Sequence, residues 1–300
     1  MIDTVGLSVE ASGLDVSDLE RRGWNVCTTR VHRGDDVIER RKAFITRADG
    51  VRLEWFDDVG WLKVCGSLPR VLGLQNDVIL SWPDTVRALA VVTGDVAPEM
   101  TGDRLPWLDR WHCWRFDPVA AWPCDPAPYI DALRIARLVG TQAVCEPGSV
   151  RWRSLRSGAI FGRFYDKSKE AGRVVPLPAR IERQALPKRQ VVRVDGDRVG
   201  GKVSDLSEHV CKGVLASMLR RFGLDSPIPS VMASKRVLVD AWGPRKGGNL
   251  WRELLAFSTC GGWPADYSRG KVRRIEHDCR VAGIRALSLD GELPPLVLSE

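Results

Sequence analysis

The amino-terminal part of the chain alternates short strand-like runs with helical runs. Residues 51–56 and 61–65 alternate apolar and polar positions on either side of the turn 57–60, a pattern that predicts a β-hairpin. Other runs predict strands at 4–10, 111–120, 159–166 and 179–184, and helices at 82–92 and 125–138. This mixture predicts an α+β fold with a central antiparallel sheet flanked by helices.

The pattern becomes helical from residue 206 onward. Apolar residues recur at helical spacing over 206–222 and 250–258, and again over 269–281, where Ser268 suits the start of a helix and Gly283 its end. We therefore predict a domain of residues 1–203 followed by a small helical carboxy-terminal domain of residues 204–300.

Positive charge is concentrated in the second half of the chain. The protein of 300 residues has a net charge of +7, yet residues 1–60 hold nine Lys and Arg against twelve Asp and Glu. Residues 151–173 hold seven against two, and residues 235–274 nine against three. Basic surfaces that gather such charges neutralise phosphates, so the distribution favours a nucleic-acid partner.

Cysteine usage and hydropathy set limits on the compartment. The eight cysteines form no C-x-x-C pair, and we expect reduced, mostly buried thiols rather than a zinc site. Residues 1–5 do not open a secretory signal, and no run of about 18 apolar residues occurs that would span a bilayer. We expect a cytoplasmic protein without a membrane partner.

Three strand-like segments repeat one design, in which an Arg stands two residues before an acid or a tyrosine. They are Arg115-Phe116-Asp117, Arg163-Phe164-Tyr165 and Arg180-Ile181-Glu182. Side chains two apart in a strand point to the same face, so each Arg lies beside a polar partner while the middle residue faces the core. If the strands are neighbours, Asp117, Tyr165 and Glu182 converge.

These residue types suit phosphoryl transfer onto a tyrosine. Asp117 and Glu182, with Glu170 as a third candidate, offer oxygen ligands for Mg²⁺ or Mn²⁺. Arg163 and Lys167 would steady a phosphate and favour the Tyr165 phenolate. Each segment alone is also explained by cross-strand ion pairs, and residues 166–170 by a capped helix start.

The order of these motifs resembles a known family. Arg-x-Asp, then Arg-x-Tyr-Asp-Lys-x-x-Glu over 163–170, then Arg-Ile-Glu at 180–182 is similar to the replication initiators of filamentous bacteriophages, the gene II protein and its shorter in-frame partner. It is also similar to the wider group of rolling-circle initiators of plasmids. The segments 1–5, 66–76 and 280–284 fit the same resemblance more weakly.

The resemblance implies a site-specific endonuclease that nicks double-stranded circular replicative-form DNA at its origin. It implies that Tyr165 stays linked to the 5′ end, that the freed 3′ hydroxyl primes the host polymerase alongside a host helicase, and that the enzyme later rejoins the strand. By motif, Arg163 and Lys167 contact the phosphate, while Asp117, Glu182 and Glu170 hold the metal. The chain departs from many such initiators because it has no His-hydrophobic-His pair.

Residues outside this cluster are candidates for DNA contact through charge or stacking. They are Arg115, Arg151, Trp152, Arg153, Arg180, Lys271, Arg273 and Arg274. The carboxy-terminal helices are open to three interpretations: origin binding, self-association or capping of the sheet. Two other functions also stay open at this point, a non-catalytic basic DNA-binding regulator and a metal-dependent hydrolytic nuclease without a covalent intermediate.

Overall fold

The chain divides into two compact units, each made of two stretches of sequence. Unit 1 contains Met1–Val119 and Gln184–Val214, and unit 2 contains Ala120–Arg183 and Leu215–Glu300. The computed structural model describes residues 1–33, 36–133, 141–154, 160–185, 193–194, 197–198, 201–260, 263–289 and 291–298. The predicted division into a domain of residues 1–203 and a domain of residues 204–300 stays a prediction.

The described residues form runs of antiparallel strands and a final run of helices, which is the arrangement of an α+β fold. The strands are β1 (Ile2–Glu10), β2 (Asn25–Arg33), β3 (Asp36–Thr46), β4 (Arg52–Phe56), β5 (Trp61–Ser67), β6 (His112–Trp122), β7 (Thr141–Glu146), β8 (Ser149–Ser154), β9 (Ile160–Asp166), β10 (Ala179–Arg183), β11 (Arg193–Val194) and β12 (Asp197–Arg198). The α-helices are α1 (Val16–Arg21), α2 (Leu68–Val71), α3 (Trp82–Val91), α4 (Ala97–Thr101), α5 (Ala127–Ala132), α6 (Lys167–Ala171), α7 (Glu208–Phe222), α8 (Val231–Cys260) and α9 (Arg269–Val281). The predicted fold class is confirmed.

Unit 1 is built on an antiparallel sheet in the order β2-β3-β4-β5-β1-β6. The predicted hairpin is confirmed as β4 and β5, in which Leu53 pairs with Val64 and Trp55 with Leu62. All four side chains are buried, so the alternation read in the sequence marks the core face. Helix α3 continues through a π-helical turn at 92–96 into α4.

Unit 2 contains an antiparallel sheet in the order β10-β9-β8-β7. One face of this sheet carries Val150, Phe164 and Ile181, which pack with Met218 and Phe222 of α7 in one apolar core. Because successive strand residues point to opposite faces, the residues between these apolar positions form the other, polar face of the sheet.

The carboxy-terminal helices of unit 2 bury a second apolar cluster, contributed by α8 and α9. Helix α9 begins after Ser268, whose hydroxyl caps the Lys271 backbone N–H, and ends before Gly283 at φ 89°. The predicted bounds of this helix are confirmed. The helix predicted at 250–258 is the second part of α8, which breaks at Gly243.

Two predicted elements fall partly on residues outside the described chain. The helix predicted at 125–138 is observed as α5 up to Ala132, and residues 134–140 lie outside the described residues. The strand predicted from 159 is observed from Ile160, and residue 159 lies outside as well. No helix among the described residues has both the length and the apolar character needed to cross a lipid bilayer.

Adjacent glycines in α8 allow a direct test of its packing. A Cβ on Gly247 would lie 2.3 Å from the carbonyl oxygen of Leu238 and 2.7 Å from the Cα of Val239, whereas a Cβ on Gly248 meets nothing within 4 Å. We expect Gly247→Ala to lower the free energy of unfolding by about 3 kcal/mol, because backbone atoms must move apart.

Gly248→Ala is the matched control for this packing test. Alanine is the better helix former by up to about 1 kcal/mol, so this variant should be unchanged or more stable. Urea unfolding of both variants measures the difference, and equal stabilities would show that the two parts of α8 do not pack closely at Gly247.

Candidate functional site around Tyr165

The polar face of the unit 2 sheet places four charged or phenolic side chains together. In the register of β9 and β10, Tyr165 lies opposite Arg180 and Arg163 lies opposite Glu182. Phe164, between Arg163 and Tyr165, points into the core. The predicted design of an Arg two residues before its polar partner therefore produces one side-by-side cluster from two neighbouring strands.

Arg163 is the centre of this cluster. Its Nε donates to Oε2 of Glu182 at 2.9 Å, and its Nη1 donates to Oε1 of Glu170, also at 2.9 Å. The guanidinium carbon lies 4.0 Å from the centroid of the Tyr165 ring, a distance at which the cation is attracted to the ring face. One planar side chain thus holds two carboxylates and the aromatic ring in place.

A capped helix start brings Lys167 back toward the tyrosine. Asp166 ends β9, and its carboxylate accepts hydrogen bonds from two backbone N–H groups in the first turn of α6. Lys167, only 4% exposed, donates from Nζ to Oε2 of Glu170 at 2.5 Å. The same Nζ lies 5.9 Å from the centroid of the Tyr165 ring.

Tyr165 itself is almost completely buried, with 3% of its surface exposed. Burial raises the pKa of its hydroxyl above the ordinary value, the charge of Arg163 opposes this rise, and the charge of Glu182 adds to it. The phenol is therefore protonated at neutral pH. Any reaction as a nucleophile requires a group that accepts its proton, and Glu182 is the carboxylate whose charge acts on it most strongly.

The pKa of Glu170 lies below its ordinary value. Burial by itself would raise this pKa, but the hydrogen bond from Lys167 and the charge of Arg163 outweigh that effect. The unfolded chain therefore binds this proton more tightly than the folded chain. The carboxylate stabilises the fold above its unfolded pKa of about 4.3, and this contribution is lost as the pH falls through the lower folded pKa.

We expect Glu170→Gln to flatten the acid dependence of stability. Between about pH 5 and about pH 3, the free energy of unfolding should fall less steeply in this variant than in the wild type, because the carboxylate with the depressed pKa is gone. Urea unfolding across the range measures both slopes. Glu20→Gln removes an exposed carboxylate from α1 and should keep the wild-type slope. Identical slopes for Glu170→Gln and the wild type would contradict this expectation.

Asp117 and Arg115 form an ion pair in unit 1. Asp117 is fully buried, and the Nε of Arg115 lies 3.1 Å and 3.0 Å from its two carboxylate oxygens. The two residues are two positions apart on β6, as predicted. The convergence of Asp117 with Tyr165 stays a prediction.

The predicted metal ligands are already bound by cations. Glu170 is held by Arg163 and Lys167, and Glu182 by Arg163, while Asp117 is held by Arg115. Among the described residues, no group of three or more His, Cys, Asp or Glu side chains is placed to hold a metal ion. In this arrangement a Mg²⁺ or Mn²⁺ ion at Glu170 and Glu182 would have to displace Arg163, so metal binding by these residues stays a prediction. We therefore derive no step through a metal.

Strand β8 carries three of the residues predicted to contact DNA. Arg151 is half-buried and pairs with Glu146 at 3.1 Å, and Arg153 is exposed. Trp152 is fully buried, and its ring stacks on Phe222 at 3.9 Å. The prediction that Trp152 stacks on a base is therefore wrong. In the strand alternation of β8 this side chain points to the core face, so its ring packs inside unit 2.

The other predicted DNA contacts differ in their accessibility. Arg180 is 1% exposed and lies opposite Tyr165, so it belongs to the cluster rather than to the surface. Lys271 pairs with Glu253 at 3.1 Å, whereas Arg273 and Arg274 are exposed on α9. Among these four residues, Arg273 and Arg274 of α9 are the ones exposed enough to contact a phosphate of bound DNA.

Sequence reasoning missed Glu146, the carboxylate that pairs with Arg151. The signal was present in Pro147-Gly148, a dipeptide that marks a turn, and Gly148 has a φ of 78°. Counting the strand alternation outward from that turn places Glu146 and Arg151 on the same face.

Comparison with known proteins includes a distant structural match. No family model matches the chain, and no curated protein matches it. A solved structure of a rolling circle replication initiator protein from Geobacillus stearothermophilus aligns over 96% of this chain and 98% of that chain, at 10% identity and a TM-score of 0.31. A TM-score at this level does not establish a shared fold, so we base the function on the side chains described above.

Proposed function

We propose that this protein is a rolling-circle replication initiator that nicks and rejoins DNA through a 5′-phosphotyrosine link. The observation that carries the proposal is the position of Tyr165, whose ring lies 4.0 Å from a guanidinium that also binds Glu182 and Glu170. A phenol, a proton acceptor and phosphate-binding cations are thereby gathered on one sheet face. The motif order across 115–182 supports the same assignment.

The reaction begins with binding of the scissile phosphate by the cations of the cluster. Arg163 and Lys167 have five and three N–H donors respectively, and both are now occupied by carboxylates. A phosphate diester that enters the site competes with Glu170, the more exposed of the two carboxylates, for these donors. These cations neutralise the incoming charge, but a negative phosphate does not itself favour the phenolate, so the phenol proton must pass to a carboxylate as the new bond forms.

Bond exchange then follows at phosphorus. Glu182 accepts the proton of the Tyr165 hydroxyl, the phenolic oxygen forms a bond to phosphorus, and the bond from phosphorus to the 3′ oxygen breaks. The 3′ oxygen leaves with the electron pair and takes up, directly or through water, the proton that Glu182 accepted, which gives a free 3′ hydroxyl and restores the Glu182 carboxylate. Arg163 and Lys167 stabilise the negative charge that develops on the phosphoryl oxygens. The link preserves a phosphodiester, so attack by a 3′ hydroxyl reverses the step and rejoins DNA.

The DNA partner in this proposal is the double-stranded circular replicative form at its origin, within a bacterial cytoplasm. The 3′ hydroxyl would serve the host polymerase, with a host helicase opening the duplex ahead of it. Exposed Arg153, Arg273 and Arg274 supply positive charge for the phosphate backbone. Self-association stays open. A requirement for Mg²⁺ or Mn²⁺ also stays open, and nicking assays after treatment with EDTA would check it.

Supercoiled plasmids that carry the DNA surrounding the gene provide the test of this function. We expect relaxation to an open circle in which protein stays attached to a 5′ end after denaturation in detergent. Open circles without attached protein would instead indicate a hydrolytic nuclease. Binding without any relaxation, across Mg²⁺, Mn²⁺ and EDTA, would indicate a DNA-binding regulator.

A further inference from the structure

Helix α8 consists of two parts that meet at a sharp break. Gly243 has φ 78° and ψ 166°, a conformation that disfavours any residue with a Cβ, and Pro244 follows it. Proline is well suited to the first position of a helix because it lacks a donor that would be unpaired there. Residues 244–260 therefore form a helix with its own amino-terminal end.

The two parts of α8 pack against each other without space for a side chain between them. A Cβ on Gly247 would meet the carbonyl oxygen of Leu238 at 2.3 Å, so the backbones approach closely here. Leu238 of the first part is buried with Leu250 and Leu254 of the second part in the same apolar cluster. Two packed helices joined at a break that contains glycine follow the general plan of helix-turn-helix DNA-binding domains, which have a longer turn of about three to four residues and place the second helix in the groove.

The outward face of the second part is basic and rich in planar hydrogen-bonding groups. Arg245, Asn249 and Arg252 are exposed at positions i, i+4 and i+7, which share one side of a helix. Arg252 donates from Nη2 to Oδ1 of Asn249 at 2.6 Å, so these two side chains lie side by side. We call these three residues the α8 face.

Charges near the α8 face are arranged so that the face itself stays positive. The acidic residue of this helix, Glu253, is bound by Lys271 and by the hydroxyl of Tyr267. Lys246, which is exposed, pairs with Asp278 at 3.2 Å and lies over the Trp242 ring at 3.3 Å. Over residues 231–281 there are ten Lys and Arg against five Asp and Glu.

We propose that the α8 face reads base edges in the major groove of duplex DNA. The major groove admits an α-helix, arginine binds guanine with two hydrogen bonds, and asparagine binds adenine in the same way. At 1.5 Å of rise per residue, Arg245 and Arg252 are about 10 Å apart along the axis, the length of about three base pairs. This inference rests on the proposed function in that DNA is the partner, and it adds the element that selects the sequence.

Selection from a library of randomised duplexes tests this proposal with the full-length chain. Tyr165→Phe is used as the parent protein so that the assay reports binding without strand cleavage. We expect a short motif to be enriched. In that background, Asn249→Ala and Arg252→Ala should each weaken binding to the selected duplex at least about tenfold, while binding to an unselected duplex changes less than about threefold, since one base pair contact contributes about this much discrimination.

Two further variants separate base reading from charge and from misfolding. Arg252→Lys keeps the charge and the helix, and it should lose the preference for the selected duplex while keeping affinity for the unselected one. Arg220→Ala removes an exposed arginine of α7 and should leave the preference intact. Equal weakening on both duplexes, an unchanged motif in the α8 variants, or no enriched motif would each overturn the proposal. Because no nicking is measured, these outcomes are independent of whether Tyr165 is a nucleophile.

Discussion

Phenylalanine at position 165 should abolish attachment of DNA to the protein and reduce nicking by about 10⁴-fold or more. The substitution removes the phenolic oxygen, and with it the atom that would bond to phosphorus. Packing should change little, because the ring and its contact with Arg163 at 4.0 Å remain possible. Denaturing gels of the plasmid products measure attachment, and relaxation of supercoiled DNA measures nicking.

Tyr129→Phe is the matched control for this experiment. Tyr129 is also buried, and its hydroxyl donates to the carbonyl oxygen of Pro294 at 2.9 Å. Losing that hydrogen bond should lower the free energy of unfolding by about 1 kcal/mol and leave DNA attachment intact. If Tyr165→Phe nicks DNA at the wild-type rate, the nucleophile is another group and the hydrolytic alternative gains support.

Removal of the Arg163 side chain should have the second largest effect, on both stability and activity. Arg163→Ala takes a cation away from Glu170 and from Glu182, a carboxylate that is almost fully buried. Removing the cation of a buried ion pair leaves the Glu182 carboxylate without the opposite charge of Arg163. We therefore expect the free energy of unfolding to fall by about 3 kcal/mol. Nicking by the folded fraction should fall by about 10²- to 10³-fold, because a cation at the developing phosphoryl charge is missing.

Arg151 provides the control for the stability part of that prediction. It lies opposite Arg163 in the neighbouring strand and makes an ion pair with Glu146. Arg151→Ala should cost less than about 1 kcal/mol, as partly exposed ion pairs usually do. Urea unfolding of both variants decides the comparison, and equal losses would show that Arg163 is no more than another surface cation.

The sequence was sufficient to predict those strands and helices whose hydrophobic periodicity agrees with the turn or cap residues at their ends. Strands β4 and β5 alternate cleanly around a turn, and α9 has both a serine cap and a terminal glycine. Strands β2 and β3 were missed because their surfaces are charged rather than apolar. Arg30 pairs across them with Glu39 at 3.0 Å, so cross-strand ion pairs replace the hydrophobic alternation that predicts a strand.

The sequence predicted that Arg163, Tyr165 and Glu182 are neighbours, but it did not predict the contacts that they make. Strand periodicity brought Arg163, Tyr165 and Glu182 to one face, and the register of β9 and β10 places them there. The sequence cannot show that Arg163 binds both Glu182 and Glu170, since Glu170 approaches only because Asp166 caps α6. That contact makes both carboxylates partners of Arg163, while their role as metal ligands stays a prediction.

The most direct test of the central claim is the mass of the peptide that carries DNA after nicking. The chain has three tyrosines, and trypsin separates them, releasing Tyr165 in the short peptide 164–167. Digestion of the covalent product with nuclease and trypsin, followed by mass spectrometry, should place a nucleotide on that peptide. A nucleotide on a peptide that contains Tyr129 or Tyr267, or nicked DNA with no modified peptide, would contradict the assignment of Tyr165 as the nucleophile.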